Sequence, residues 1–452
     1  MRKHPCILAV LLIVVVLLAN ILFSLIPGAY RTIDATSAQL ITPSAETLEA
    51  VNRLTSPVNI YLVASSGEED VWLDGLLSKL SAASPDIHYA RLSPMLDGSQ
   101  IARYTDQTPA ANSLIVASSR RSVVVDYEQI YQASYLTSGV KSDLGFAAQD
   151  QLVKALEYVT RDDLIRLYAP TNHGESKVSA SLNEALVDAN AEVLPLDLSE
   201  EVPPDASAVL LLGPQQDLTS EEAANLSHYL EGGGKLLLLT DYQHGALENL
   251  NVVTAAYSMT GVNGVVLEGD IDHAINGYQQ YLLPDLLDHE ITQSLIENEI
   301  YVSMPLSHAI TIGELREGLL VDTLLETSTD AYVKLNDSQY SSLERDEGDL
   351  PGPFSLAVAA STDTTRVVWI ASTDMINEEI DQNIGGANSE FFLSAVQWLC
   401  GTVDSVAAAP VPSLETEPLS IVSASTTPLV ILLFMLPALA LVIGLIMRLR
   451  KR

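Results

Sequence analysis

Short apolar runs alternate along this chain with stretches whose apolar residues recur at helical spacing. "PVNIYLVAS" (57–65) is apolar and rich in β-branched residues, which predicts a buried strand. "EEDVWLDGLLSKLSAAS" (68–84) carries Val71, Leu73, Leu76, Leu77 and Leu80 at helical spacing, and "DIHYARL" (86–92) predicts a second strand. "NSLIVASSRRSVVVDYEQI" (112–130) predicts two strands turning at Ser119-Arg120. A helix over "AETLEAVNRL" precedes them, with Ser44 as its N-cap. The β-α-β order followed by a hairpin fits a thioredoxin-like α/β unit over residues 28–145. Redox work is excluded there, because no Cys-x-x-Cys is present.

A helix at 146–160 leads into a second run of alternation, with strands at 163–169, 191–198, 206–214 and 235–241 and helices at 176–190 and 219–233. Thr219 with Glu222 three residues on is a capping box, and Gly232-Gly233-Gly234 ends that helix. Wholly apolar strands between amphipathic helices predict a parallel sheet covered on both faces. The expected fold is therefore a Rossmann- or flavodoxin-like (amidotransferase-like) domain over 146–245. Residues 246–401 read as an α/β extension with strands in 352–361 and 365–373 and a helix at 389–401. Residues 402–427, proline-containing and without period, read as a linker.

The two ends change the picture. Residues 6–26 and 428–447 are apolar and uncharged, each long enough as a helix to cross a bilayer. Their outer flanks are basic, so the expectation is two transmembrane anchors (1–27 and 428–452) with both termini cytoplasmic and a large extracytoplasmic domain. Without the six basic residues at the anchors, 17 basic residues face 58 acidic ones, a net charge of −41. Such a surface repels nucleic acid, so that partner class is excluded. Cys400 is the one cysteine of the expected ectodomain, which leaves no intrachain disulfide there and no cysteine-based zinc site. These features point to the plasma membrane of a bacterial cell.

Candidate chemistry centres on His173-Gly174-Glu175, in the loop after the first strand of the parallel sheet, where open α/β sheets bind ligands. Gly213-Pro214-Gln215 follows another strand at the same sheet edge and is expected to line the same crevice. His and Glu are able to share a proton or bind a metal. Yet no nucleophile elbow and no H-E-x-x-H occurs, so no catalytic residue, metal site or cofactor is assigned. The plainer reading is a corner: Gly174 supplies a turn, and Glu175 or Ser176 opens the next helix. Asp374 stands after a strand, as a ligand-binding carboxylate or a helix cap.

The entry segment with Leu40, Thr42, Glu46, Leu54, Pro57 and Val58, the 112–125 hairpin, "HGE" at 173–175, the 213–241 run, "HEIT" at 289–292, "GPFSLAVAA" at 352–360 and the ending with Asn388, Trp398 and Leu399 occur in a recognisable order. In that order the chain resembles the auxiliary, substrate-binding-like subunits of ABC-2-type transport systems, a family named for a gliding-motility component. Asn172 and Glu290 depart from the family pattern, which more often has glycine and proline there. The resemblance implies a non-catalytic subunit working beside an ABC permease and its ATPase, with the cargo unspecified. The central unit also resembles a domain of an intraflagellar transport component, related to amidotransferase-like folds without their cysteine. The rival expectations are a degenerate surface hydrolase using His173 and Glu175, or an envelope-binding structural protein.

Overall fold

The computed structural model describes residues 34, 38–135, 141–242, 247–335, 343–402 and 407–414. The described residues divide into two compact units, one holding those up to 161 together with 407–414 and the other those from 162 to 402.

In the first unit, α1 (Ala45–Asn52) is capped by Ser44, whose hydroxyl accepts the Thr47 N–H. Strand β1 (Val58–Val63) pairs in parallel with β2 (Ile87–Leu92) through the crossover helix α2 (Val71–Ala83). The hairpin of β3 (Leu114–Ala117) and β4 (Ser122–Val125) adds antiparallel to β1, giving the order β2-β1-β3-β4. A second hairpin, β5 (Tyr131–Tyr135) with β6 (Lys141–Phe146), precedes α3 (Ala148–Thr160). The fully buried Ile60, Leu62, Leu73, Leu76, Leu77 and Leu80 form the core with Leu114, Leu152 and Leu156. Each such side chain contributes roughly 1.5–3 kcal/mol on burial. Asp70 starts α2 by accepting the Trp72 and Leu73 N–H groups, and its second oxygen accepts the Tyr131 hydroxyl at 2.7 Å.

Two expectations shift here. Helix α3 belongs to this unit, where Gln149 Oε1 accepts the Ser44 N–H at 2.6 Å. Part of the expected linker is strand-like: Phe146 N–H donates to Pro412 O, and Leu414 N–H to Leu144 O. Those bonds use only backbone, so no side-chain pattern announces them.

The second unit is built on a ten-stranded mixed sheet. Its parallel half contains β7 (Ile165–Pro170), β8 (Ala191–Leu196), β9 (Ala208–Leu212) and β10 (Lys235–Leu239). The remaining strands are β11 (Met259–Gly261), β12 (Ile310–Ile312), β13 (Leu320–Glu326), β14 (Ser355–Ser361), β15 (Arg366–Ile370), which is also parallel, and the two-residue strand Asp285–Leu286, which pairs with β13. Strands run in the order β8-β7-β9-β10-β15, all parallel, before β14 turns antiparallel and carries β12 and β13 on its far side. Residues beyond 246 contribute to this same sheet, with β15 as its fifth parallel strand. Side chains alternate between two covered faces. Leu210, Leu237 and Val368 pack with α4 (Ala180–Asp188) and α7 (Ala387–Cys400), whereas Val209, Leu236 and Val367 pack with α5 (Ser220–Glu231) and α6 (Glu248–Ala255).

The fold-class expectation therefore needs correction. The sheet is mixed rather than purely parallel, and among the described residues no helix is long and apolar enough to cross a membrane. The longest, α7, has 14 residues, roughly 21 Å against a hydrocarbon core of about 30 Å. The segments expected to be anchors, 6–26 and 428–447, lie outside the described residues. The expectation of two flanking transmembrane helices, and the membrane placement built on it, is therefore withdrawn: among the described residues no membrane-spanning helix occurs.

Candidate functional site

The chain leaves β7 for β8 on one side and then crosses to β9 on the other, so the strand order reverses between β7 and β9. Ligands of open α/β sheets bind at the carboxyl ends of the strands flanking such a reversal. The structure brings His173-Gly174-Glu175 and Gly213-Pro214-Gln215 together there, since the Gln215 and Gln216 N–H groups donate to His173 O at 2.7 and 3.0 Å.

His173 is buried, 6% exposed. Its Nδ1 lies 3.0 Å from Glu175 Oε1 and its Nε2 lies 3.1 Å from Glu222 Oε2. An ionised carboxylate only accepts, so with both partners ionised each ring nitrogen carries a proton and the ring is an imidazolium. Burial alone would push the His173 pKa down; the hydrogen bonds and charges of Glu222 and Glu175 outweigh it and hold the value above the ordinary one. Burial likewise pushes Glu222 up, but the Thr219 N–H and hydroxyl, both at 2.7 Å, and the His173 ring bring it net below the usual range. Glu175 closes the loop with its other oxygen, which accepts the His173 N–H at 2.8 Å.

The glycines make the close approach feasible. Gly174 sits at φ +78°, where a Cβ would lie 3.1 Å from Gln215 Cβ, and Gly213 sits at φ +66° with the Thr373 side chain against it. Pro214 is buried behind the turn, while the Gln215 amide reaches Gly213 O and Asp241 Oδ2, each at 3.3 Å. Asp241 Oδ1 in turn accepts the Thr373 N–H. Burial, with the Asp241 charge nearby, pushes the neighbouring Asp374 carboxyl up. The next helix opens not at Glu175 or Ser176 but at Ser179, whose hydroxyl accepts the Leu182 N–H. Asp374 caps nothing; Asn377 caps the following turn.

Chemically, this arrangement is a strut. An imidazolium with both N–H groups donated to carboxylates has no lone pair to take a proton or bind a metal. The capping box already identified Glu222 as a helix start. Its second partner, His173, lies 49 residues away in the chain and is visible only in three dimensions. Among the described residues no group of three His, Cys, Asp or Glu side chains is placed to hold a metal. Desolvation of the half-buried Cys400 pushes its thiol pKa up to about 11 and suppresses the reactive thiolate. His308, which is buried, bonds Thr240 Oγ1 through Nε2 at 2.6 Å and Ala309 O through Nδ1 at 3.0 Å. Thr240 Oγ1 further accepts the Trp369 indole N–H at 2.7 Å, so this cluster ties β10 to β15.

No family model matches the chain, and a comparison with curated proteins finds no match. Among solved structures the chain is similar to the mmIFT52 N-terminal domain (15% identity, TM-score 0.39, covering 52% of this chain and 96% of that one). It is also similar to the exo-beta-1,4-mannosidase Op5Man5 from Opitutaceae bacterium strain TAV5 (10%, TM-score 0.32), covering 72% of this chain and 48% of the mannosidase. A glutamine amido transferase from Methylobacillus flagellatus is a third (12%, TM-score 0.26, covering 55% and 99%). At such identities and scores none of them carries a functional conclusion.

Proposed function

We propose that the chain is a non-catalytic binding subunit, the auxiliary of an ABC-type transport complex whose permease and ATPase are separate partner chains. The observation that carries the non-catalytic part is the state of His173. At the sheet edge where this fold class places ligands, both its ring nitrogens are bonded to Glu175 and Glu222. A hydrolase using His173 and Glu175 as an acid/base pair would need a ring nitrogen facing substrate. The transport part rests on the resemblance of the ordered motifs from Leu40 to Leu399. ATP hydrolysis falls to a partner, because the chain has no G-x-x-x-x-G-K-[ST].

The test is affinity capture of the tagged full chain after in-cell cross-linking, with identification of what is recovered. A multispan permease together with a P-loop ATPase is the expected result. Recovery of the chain alone, or only with envelope polymer, would overturn the transport assignment.

A further inference from the structure

At the opposite end of the same sheet, beside the amino end of β15, lies a cleft of about 490 Å³. That volume falls within the roughly 300–1,000 Å³ typical of small-ligand sites. Two motifs far apart in sequence meet in its wall: His289 of "HEIT" and Trp398 of the last helix, with ring centroids 5.3 Å apart and planes at 63°. The wall is held in place before any ligand arrives. His289 Nδ1 accepts the Ile291 N–H at 3.1 Å, and His289 O accepts the Thr292 and Gln293 N–H groups. The buried Thr292 hydroxyl donates to Leu287 O, and Leu287 N–H donates to Leu324 O.

Charge in the cleft is unbalanced. Asp288, Glu290 and Asp322 line it, all exposed, and none of them has an ion-pair partner among the described residues. The cationic lining residue, Arg366, is turned to the tryptophan: its guanidinium lies 4.8 Å above the Trp398 ring and donates to Trp398 O. His289 supplies no balancing charge either. Its Nδ1 is occupied as an acceptor, and burial keeps its pKa below the ordinary value despite the three nearby carboxylates and with Arg366 adding to the depression.

We propose that this cleft binds primary ammonium groups, with Asp288, Glu290 and Asp322 as the charge partners and the His289–Trp398 pair as the wall. A free polyamine and a lysine side chain of a partner share that chemistry. The site is independent of the transport assignment, which stands or falls on the capture experiment.

Isothermal titration calorimetry of the full chain at low salt tests it, with spermidine and with the peptide acetyl-Gly-Lys-Gly-Lys-Gly-amide as probes. The expected result is saturable single-site binding of at least one probe. Asp288→Asn with Asp322→Asn weakens it about five- to tenfold, the scale of two exposed ion pairs. Glu68→Gln with Asp106→Asn, which removes two exposed carboxylates elsewhere, leaves it unchanged. Tighter spermidine binding identifies a free polyamine as the source, and tighter peptide binding a lysine-bearing partner. Absence of saturable binding by both probes, or equal weakening in the two double variants, overturns the proposal; thermal melts establish that both variants are folded.

Discussion

Two histidines in the second unit stand in opposite states. His173, at the carboxyl edge of the sheet, is buried between Glu175 and Glu222, with both nitrogens bonded and its pKa raised. His289, at the other edge, lines a cleft, has a backbone N–H on Nδ1 and has its pKa lowered. Both lie beside acidic residues. The difference is distance: carboxylates within hydrogen-bonding reach lock His173 into a charged strut, whereas the carboxylates beside His289 leave burial to dominate. A His-Glu pair at a sheet switch point is thus not evidence of catalysis until the second ring nitrogen is accounted for.

Removing one side of the strut breaks this comparison most severely. Glu222→Ala leaves the His173 charge half-paired and removes the glutamate half of the α5 capping box, so unfolding in urea should show a loss of about 3–5 kcal/mol. Gly213→Ala comes next. A Cβ there overlaps the Thr373 hydroxyl and methyl, and the positive φ disfavours it, for roughly 1–3 kcal/mol; adding Thr373→Ala should recover part of the loss. The third effect is a pH dependence. The raised His173 pKa gives stability that is complete below the ordinary value of 6.5 and is lost as pH rises through the folded-state value. The lowered Glu222 pKa gives stability that is complete above 4.5 and is lost as pH falls through its folded-state value. The stability gap between wild type and His173→Ala should therefore be widest between these two ordinary values and narrow on either side. Smallest of all, Asp288→Asn with Asp322→Asn should change stability by no more than about 0.5 kcal/mol, because both side chains are exposed.

The legible parts of the chain were those whose side chains state their surroundings. "AVLLL" of β9 and "KLLLL" of β10 are apolar on both faces because helices cover both, and Thr219 with Glu222 marks the start of α5. The antiparallel half was not legible. β13 reads "LVDTLLE" with only Leu324 and Leu325 buried, and β12 exposes two of its three residues, so neither shows a clean period. β15 was visible as a strand, but its place beside β10 depends on a long-range pairing that no local pattern encodes. At the candidate site, the meeting of the His173 and Gly213 loops followed from strand order. The Glu222 contact did not, because it depends on how the α5 start faces the β7 loop. The cleft was present in the sequence only as scattered pieces: "HEIT", Asp322, Arg366 and Trp398.

The most direct test of the strut is a pH titration of the full chain labelled with ¹⁵N in histidine, with His173 and His289 assigned by single substitution. The account predicts that at neutral pH both His173 nitrogens are protonated and that it titrates above 6.5, while His289 is neutral with its proton on Nε2 and titrates below 6.5. A His173 ring with one bare nitrogen at neutral pH would contradict it and return His173 and Glu175 to consideration as an acid/base pair.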